Sequence, residues 1–418
     1  MMKNLMRFTG FIFVSIILFG ACEKNEDAYL ALVPEYTTFD EFRTAFKVQG
    51  PTHIKQSGKI YFKDDYIFVN DQYEGIHVID NSTPSNPKKV AFYNIPGNVD
   101  IAILDNVLFA DSYIDLVAFD ISNILQPVEI SRMENAFPEV LPPTDDEYPV
   151  AWYDIDRSKG VVTGWKKKKF YHEDDSSGWF WRNDMYLDVA SESGAGNAGV
   201  AGSMARFMLH SNYLYSIAQP WVLKTIDVSQ ASQMQVTDSI QNWREMETLF
   251  RLEENLFVGT TSGMIIYDLS DPSKPEFVSD FNHANACDPV VVENDIAYVT
   301  LRTGNACFGN TNQLDVIDIS DIENPLLLKS YPFFNPHGLG IDNGTLFICD
   351  GADGLKIFDA TNPLAILSNP LAHFESIDAF DVIPLDDKLI LIGQDGLFQY
   401  NYADAENISL ISHIDLSK

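Results

Sequence analysis

The amino-acid sequence predicts an all-β protein: a seven-bladed β-propeller of four-stranded antiparallel blades, with one long insertion between blades 2 and 3. Three observations support this fold class. A short apolar run that closes on Asp recurs along the chain, most copies lie about forty residues apart, and short β-branched and aromatic runs flank each copy.

The recurring run reads GIHVID, LVAFD, LKTID, GMIIYD, LDVID, GLKIFD and, in the last copy, GLFQYN. Its closing residues are spaced by 40, 107, 41, 50, 41 and 42 positions, and they are Asp80, Asp120, Asp227, Asp268, Asp318, Asp359 and Asn401. The one long spacing predicts an insertion. Because a carboxylate or amide at a strand end can accept a backbone N–H two residues on, we expect each closing residue to begin an Asx-turn.

Proline follows the closing Asp by seven residues in four copies, at Pro87, Pro127, Pro275 and Pro325. Proline cannot donate to a sheet ladder, so these positions mark the start of the outermost strand. Four-stranded units of about forty residues predict a propeller. An open solenoid is the alternative, but apolar residues on both faces of each sheet favour a closed ring.

The segments GIHVIDNSTPSNP, GMIIYDLSDPSKP and LDVIDISDIENP resemble the repeats of the LVIVD-repeat family. The resemblance extends over roughly residues 56–418, apart from the insertion. Proteins of this family look like β-propellers and are mostly exported bacterial proteins without an assigned activity. The resemblance therefore implies an exported propeller and does not indicate a particular activity.

The N-terminus has the layout of a secretory signal, with Lys3 and Arg7 before an apolar core over residues 8–21. The small pair before Cys22 resembles the lipobox of bacterial lipoproteins. This resemblance implies cleavage after residue 21, lipidation of Cys22, an acidic tether over residues 22–55, and a location at the outer membrane or cell surface. A plain signal peptide with an unmodified Cys22 is the alternative.

The charge balance argues against one class of partner. The formal net charge is −32, and it becomes −34 once Lys3 and Arg7 are removed with the signal. A field of this sign repels phosphate backbones, so we expect no nucleic-acid partner. The expected partners are the membrane, through the anchor, and a glycan or protein ligand bound by a monomer.

Three further cysteines lie in the predicted propeller. Cys287 precedes the first strand of blade 5 and Cys307 follows the second, so an antiparallel pair brings them to one face and predicts a disulfide between them. Cys349 lies within a predicted strand, and we expect a buried free thiol there.

Several units carry a polar or titratable residue where the first strand begins: Asp100, Glu247, Asp288, His337 and Asp378. In a propeller the first strand lines the axial channel, so these residues predict a partial acidic ring at the channel mouth. Such a ring could hold Ca²⁺ or bond sugar hydroxyls. The alternative is that they cap strand ends. Asp350 and Asp353, in DGADG, fit turn chemistry better than a metal loop.

The insertion, over residues 136–203, holds Trp165, Trp179 and Trp181 beside the one basic cluster, Lys166 to Lys169. Exposed aromatic side chains beside cations would suit a carbohydrate or protein contact surface. The alternative is that these aromatics pack on blades 2 and 3 while the lysines are solvated. The turn-like RSKG predicts a hairpin within the insertion.

Two functions follow from these features. No nucleophile, base and orienting group stand at recognisable spacing, which favours a non-enzymatic, lipid-anchored binding or scaffold protein without catalytic residues or cofactor. The alternative is a surface hydrolase or lyase on glycans that uses the channel-mouth carboxylates with His337.

Overall fold

The computed structural model describes residues 28–138, 141–142, 144, 147–151, 154–171, 200–203, 206–282, 289–303, 311–405 and 407–416. Seven antiparallel sheets follow one another along this part of the chain, and each contains four consecutive strands. The predicted seven-bladed propeller is therefore confirmed. Within the described residues, no helix combines the length and apolar character needed to cross a membrane.

Three short elements precede the first blade. Strand β1 spans Ala28–Thr37, helix α1 spans Phe39–Arg43, and strand β2 spans Lys47–Gln49. Thr38 and Glu41 form a capping box, in which each side chain accepts the other's backbone N–H, and this fixes the start of the helix.

The strands of blades 1 to 3 follow from the inner to the outer edge of each sheet. Blade 1 contains β3 to β6, at Ser57–Lys63, Tyr66–Asp71, Gly75–Asp80 and Lys88–Asn94. Blade 2 contains β7 to β10, at Ile101–Leu104, Val107–Ser112, Asp115–Asp120 and Val128–Met133. The insertion contributes β11 and β12, at Val161–Tyr171 and Val200–Ala201. Blade 3 contains β13 to β16, at Phe207–His210, Tyr213–Gln219, Val222–Asp227 and Gln235–Gln241.

Blades 4 to 7 repeat the same order. Blade 4 contains β17 to β20, at Met246–Leu252, Asn255–Thr260, Gly263–Asp268 and Glu276–Asn282. Blade 5 contains β21 to β24, at Val290–Glu293, Ile296–Leu301, Gln313–Asp318 and Leu326–Pro332. Blade 6 contains β25 to β28, at Leu339–Asp342, Thr345–Cys349, Leu355–Asp359 and Pro370–Phe374. Blade 7 contains β29 to β32, at Ala379–Leu385, Lys388–Gly393, Gly396–Asn401 and Ser409–Ile414. Short 3₁₀ helices occupy Arg157–Lys159, Ala231–Gln233 and Ile366–Ser368.

The closing residue of the third strand makes the predicted Asx-turn in every blade. Its side-chain oxygen accepts the backbone N–H two residues on at 2.8–3.0 Å. Asn401 does so as well as the six aspartates, which explains why the amide can replace the carboxylate. The four predicted prolines stand directly before β6, β10, β20 and β24, as expected for the start of a fourth strand.

Among the described residues, the ring closes without exchange of strands between the first and last blades. Apolar side chains of blade 1, among them Ile60 and Ile67, form one buried cluster with Ile383 and Ile390 of blade 7. The Gln399 Nε2 atom also donates to the Asn81 side chain across this seam, at 2.8 Å. Side-chain packing therefore holds the ring closed.

The segment between blades 2 and 3 corrects one expectation. RSKG does not turn between two strands of a hairpin, because it forms a 3₁₀ helix and β11 pairs with β1 instead. Gly160 lies after this helix at φ 125°. A Cβ at this position would clash with the Thr37 carbonyl oxygen. The segment predicted as a tether therefore begins a strand at Ala28, and β1 and β11 form a two-stranded ribbon beside the ring.

The fourth strand is the outer edge of its sheet in six blades, as predicted. In blade 1, β2 pairs antiparallel with β6 and becomes the outer edge, while β12 pairs with β3 at the inner edge. Blade 1 thus has six strands, because the N-terminal segment and the insertion each add one.

Candidate functional site

The inner strands of all seven blades share one register. Each two-residue turn after the inner strand begins with a left-handed residue, with φ between 47° and 54°, at Asp64, Asp105, Ser211, Glu253, Asn294, Asn343 and Asp386. Five positions before these residues lie the equivalent channel positions, Lys59, Asp100, Arg206, Thr248, Pro289, Gly338 and Asp381. Four of the seven are charged. They alternate in sign over the neighbouring blades 7, 1, 2 and 3.

Asp100 is the centre of this charged row. Its Oδ2 atom lies 2.6 Å from the Lys59 Nζ atom and also accepts the backbone N–H of Arg206. All three side chains are at least nine-tenths buried. The pKa values of Lys59 and Arg206 are lowered, because the effect of burial exceeds the opposing effect of the nearby carboxylates. Asp100 is therefore a buried, paired carboxylate and does not face open solvent.

Asp111 supports Asp100 from the next strand. Its Oδ1 atom accepts the backbone N–H groups of Val99 and Asp100 at 2.8 and 2.9 Å, and the side-chain amide of Asn98 at 2.8 Å. Burial raises the pKa of Asp111 to about 6, although these hydrogen bonds oppose the shift. The group fixes the loop that enters blade 2.

Asp381 is the equivalent carboxylate of blade 7. Its Oδ1 atom accepts the Ser203 hydroxyl at 3.0 Å and the Val382 backbone N–H at 2.9 Å. Its Oδ2 atom is buried and has no hydrogen-bond partner among the described residues. Burial raises the pKa of Asp381 to about 7. Gly202 and Gly338 make room for this carboxyl group, since a Cβ at either position would lie 2.1 or 2.4 Å from its oxygens.

The end of the insertion lies across this end of the channel. β12 pairs with β3, and the Gly202 backbone N–H donates to the Ile60 carbonyl at 3.0 Å. The Ser203 hydroxyl then bridges two blades, because it donates to Asp381 and accepts the Leu339 backbone N–H at 2.8 Å. The end of the insertion is thus tied to blades 1, 6 and 7. The backbone N–H of Arg206, directly before β13, then donates to Asp100 of blade 2.

Three other residues of the predicted ring, Glu247, His337 and Asp378, are described by the structure. Glu247 is buried, and its carboxylate is among the charges close to the Arg206 guanidinium. His337 is half-buried, with its ring 5.6 Å from that of Phe380 and its Nε2 atom 3.2 Å from the Asn335 amide. Asp378 lies beside Asp395, and partial burial together with that carboxylate raises its pKa.

The predictions for Asp288, for the cysteines and for a metal site can be compared with the structure only in part. Asp288, Cys287 and Cys307 lie outside the described residues, as does Cys22. Cys349 is a buried free thiol as predicted, and burial raises its pKa. Within the described residues, no group of three His, Cys, Asp or Glu side chains is placed to hold a metal ion.

Asp350 confirms the expectation of turn chemistry at DGADG. Its carboxylate accepts the backbone N–H groups of Phe334 and Asn335 and lies 2.5 Å from the Lys356 Nζ atom, which also bonds Asp353. The equivalent residue of blade 1, Asp71, likewise accepts two loop N–H groups and contacts His77 in the third strand. These carboxylates fasten the entry loops to their blades.

The tryptophans and lysines of the insertion lie partly in the ribbon. Trp165 is half-buried and its indole N–H donates to the Pro142 carbonyl at 2.9 Å, whereas Trp179 and Trp181 lie outside the described residues. Lys166 to Lys169 are exposed on β11. Lys167 stands 3.8 Å from the centre of the Tyr148 ring, a cation–π contact.

A cavity of about 940 Å³ lies at the opposite end of the channel. The turns after the inner strands of blades 1, 4, 5, 6 and 7 surround it. Its charged lining residues are six carboxylates and two cations: Asp65, Glu253, Glu293, Asp342, Asp386, Asp387, Arg251 and Lys388. The sequence predicts an acidic ring at the end of the channel where the inner strands begin. The carboxylates that line this described cavity stand where those strands end.

Lys59, Arg206 and Asp381 were missed by sequence reasoning, although a signal was present. All three lie five positions before the turn residue of their blade. Glu247, Asp288 and His337 each lie one position before the equivalent channel position. Neighbouring residues of a strand point to opposite faces, so an offset of one position selects the wrong side.

Comparison with known proteins agrees with this architecture. Residues 56–95, 253–283 and 287–332 match the family model described as LVIVD repeat. No curated protein matches the chain in sequence. Solved structures are also similar to it, at identities that show the fold alone. A protein from Lactobacillus plantarum has a TM-score of 0.55 at 10% identity, with 87% of this chain and 97% of that chain covered.

The computationally designed Ika8 protein has a TM-score of 0.51 at 10% identity, with 88% of this chain and 90% of that chain covered. Sqt1 from Saccharomyces cerevisiae has a TM-score of 0.50 at 8% identity, with 89% and 88% covered. The repeats in blades 1, 4 and 5, together with the seven sheets that each contain four consecutive strands, lead to one conclusion: the chain is a seven-bladed β-propeller that carries LVIVD repeats.

Proposed function

We propose that the protein is an exported, lipid-anchored binding or scaffold protein of the bacterial envelope, without catalytic activity, and that it presents the insertion to a glycan or protein ligand. One observation carries the proposal. The last residues of the insertion are bonded to three blades, because the Gly202 backbone N–H donates to the Ile60 carbonyl, and the Ser203 hydroxyl donates to Asp381 and accepts the Leu339 backbone N–H. The insertion is therefore fixed to a rigid scaffold, the usual arrangement for a recognition loop.

The pairing of Asp100 with Lys59 weighs against catalysis at this end of the channel. Glycoside cleavage needs two carboxyl groups that face one substrate space, one of them free to give or take a proton. Asp100 is buried, forms an ion pair with Lys59 and accepts the backbone N–H of Arg206. Binding does not require such a pair.

The N-terminal layout supports the anchor. Residues 8–21 form the apolar core of a signal, Cys22 follows it, and β1 begins at Ala28. Because β1 pairs with β11 of the insertion, an anchored Cys22 would lie within six residues of the ribbon. An acylated Cys gives firm attachment because every buried CH₂ contributes about 0.8 kcal/mol.

Membrane fractionation of the full chain tests the anchor. We expect the unaltered protein in the membrane fraction and Cys22→Ala in the soluble fraction. Cys349→Ala, at the buried free thiol, is the matched control and should stay with the membrane. Retention of Cys22→Ala on the membrane would rule out lipidation at this residue.

A glycan and peptide array tests the recognition surface. The full chain with Cys22→Ala is compared with the same chain in which a Gly/Ser linker of equal length replaces residues 172–199. This replacement keeps β11 and the Ser203 bridge intact. We expect ligands that bind only the unreplaced chain. Equal binding by both chains would exclude the insertion as the recognition element.

A glycan-active enzyme is the second candidate, and one observation favours it. Asp378 carries a raised pKa, and His337 packs on Phe380, two residues away from it in sequence. Incubation of array ligands with the unaltered protein, followed by mass spectrometry, tests this candidate. Cleavage products that vanish with Asp378→Asn would replace the binding proposal.

A further inference from the structure

Lys59 and Asp100 bring an amine and a carboxyl group into contact inside the protein. Lys59 lies on β3 of blade 1, and Asp100 lies directly before β7 of blade 2. The Nζ atom of Lys59 is 2.6 Å from the Oδ2 atom of Asp100, and both residues are more than nine-tenths buried. Groups held in this way can react as though their concentration were about 10⁵ M or more. The pair therefore has the proximity that a condensation between the two groups requires.

Burial also favours the uncharged forms of the two groups. It lowers the pKa of Lys59, against the opposing effect of the Asp100 carboxylate. A proton that moves from Nζ to Oδ2 along the hydrogen bond turns the ion pair into an amine and a carboxylic acid, so that neither group is charged in the low-dielectric interior. The free amine is the form of Lys59 that can act as a nucleophile.

Backbone donors lie where negative charge would develop in such a reaction. Attack of an amine on a carboxyl carbon places charge on the carboxyl oxygens. The Oδ1 atom of Asp100 accepts the Ile101 backbone N–H at 2.7 Å, and the Oδ2 atom accepts that of Arg206. Fixed N–H groups of this kind stabilise a tetrahedral intermediate.

Asp111 is placed to carry a proton during the reaction. Its Oδ1 atom accepts the Asp100 backbone N–H at 2.9 Å, so its carboxyl group lies beside that residue. Burial raises the pKa of Asp111 to about 6, and the negative charge of Asp100 adds to the shift. A carboxyl group that gains and loses a proton near neutral pH suits general acid–base catalysis.

We propose that Lys59 and Asp100 condense to an amide that links blade 1 covalently to blade 2. The Nζ lone pair forms a bond to the Asp100 Cγ atom, and Asp111 passes a proton from Nζ to one carboxyl oxygen. The bond between Cγ and that oxygen then breaks, and the oxygen leaves as water. The reaction consumes no oxidant, reductant or further reactant. The cross-link forms without any ligand and is independent of the function proposed above.

Peptide mass spectrometry of the purified full chain tests the proposal. Trypsin does not cut after an acylated lysine, so the cross-link would join residues 56–63 to residues 90–132. This product weighs one water molecule less than the two peptides together, and neither peptide contains a cysteine that could join them by a disulfide. We expect the joined product. Complete cleavage after Lys59, with residues 90–132 recovered as a separate peptide, would overturn the proposal.

Variants assign the nucleophile to Lys59. Lys59→Arg keeps the positive charge but removes the amine, so the joined product should be lost. Lys356→Arg, at the partly exposed ion pair with Asp350, is the matched control and should keep the product. A joined product in Lys59→Arg would refute the assignment. Should that variant fail to fold, fragmentation of the joined product from the unaltered chain still locates the link on Lys59 and Asp100.

Asp111→Asn tests the proton carrier. The amide oxygen can still accept the Asp100 backbone N–H, but the side chain no longer exchanges a proton. The joined product should therefore form about a hundredfold more slowly in samples taken at intervals after synthesis. Formation at an unchanged rate would show that Asp111 takes no part in the reaction.

Discussion

At the level of single residues, Asp381 shows how the propeller accommodates a buried carboxyl group of which only one oxygen is hydrogen-bonded. One oxygen serves Ser203 and Val382, and the other faces Gly202 without a partner. The missing side chains of Gly202 and Gly338 are what allow the insertion and blade 6 to approach this group. A glycine at these two positions is thus a requirement of packing.

Alanine at Gly202 or Gly338 should destabilise the fold. The new Cβ would lie 2.1 or 2.4 Å from an Asp381 oxygen, and overpacking of this kind costs about 1–3 kcal/mol. Urea unfolding measures the loss. Gly50→Ala, where nothing lies within 4 Å, is the control and should be nearly neutral. A cost at Gly202 equal to that at Gly50 would contradict the packing described here.

Asp381 also predicts a dependence of stability on pH. Its pKa in the folded protein is about 7, above the value near 3.9 in an unfolded chain, so between these values the folded state binds more protons. Its contribution to stability is therefore greatest at low pH and is lost as pH rises towards 7.

Asp381→Asn should remove that contribution, since the amide stays neutral and keeps an acceptor for Ser203. Relative to the unaltered protein, the melting temperature of Asp381→Asn should rise more at pH 8 than at pH 5. Asp386→Asn, at an exposed turn, should show no such difference. Parallel melting curves for all three proteins across pH would refute the assignment.

The charged row was partly predictable from the sequence. Asp100 was identified because it precedes an obvious alternation, but Asp381 was passed over for Asp378, three residues earlier. Arg206 was missed since the insertion hides where blade 3 begins.

At the level of elements, the third strand and its turn were the most predictable feature. Hydrogen bonds over two residues are local, so the same sequence pattern gives the same turn in all seven blades. The ribbon of β1 and β11 was not predictable, because it joins segments more than a hundred residues apart and neither carries a repeat.

Substitutions at Asp318 test the role of the closing residue. Asp318→Ala should lower the melting temperature, because the Ser320 backbone N–H and hydroxyl both lose their acceptor. Asp318→Asn should retain most of the stability, as Asn401 does in blade 7. Calorimetric scans of both variants give the comparison, and equal losses would show that the amide cannot form this turn in blade 5.

At the level of the whole molecule, closure depends on the seam between blades 7 and 1. In a double-mutant cycle, Ile67→Ala and Ile390→Ala should be coupled by about 0.5 kcal/mol or more, since both side chains belong to one buried cluster. Each single change should cost about 2–5 kcal/mol. Ile67→Ala with Val316→Ala, which packs in another cluster, should be additive. Additivity for the first pair would show that the seam is not packed.

The ribbon has a consequence for the order in which the protein can be assembled. As the polypeptide is synthesised from its N-terminus, β1 appears first but has no strand to pair with until Tyr171 has been made. Blades 1 and 2 lie between the two partners and can fold in the meantime, because their contacts are local. A nascent or truncated chain that stops after residue 138 would therefore expose ten residues of unpaired edge, Ala28 to Thr37, as a place for aggregation to begin.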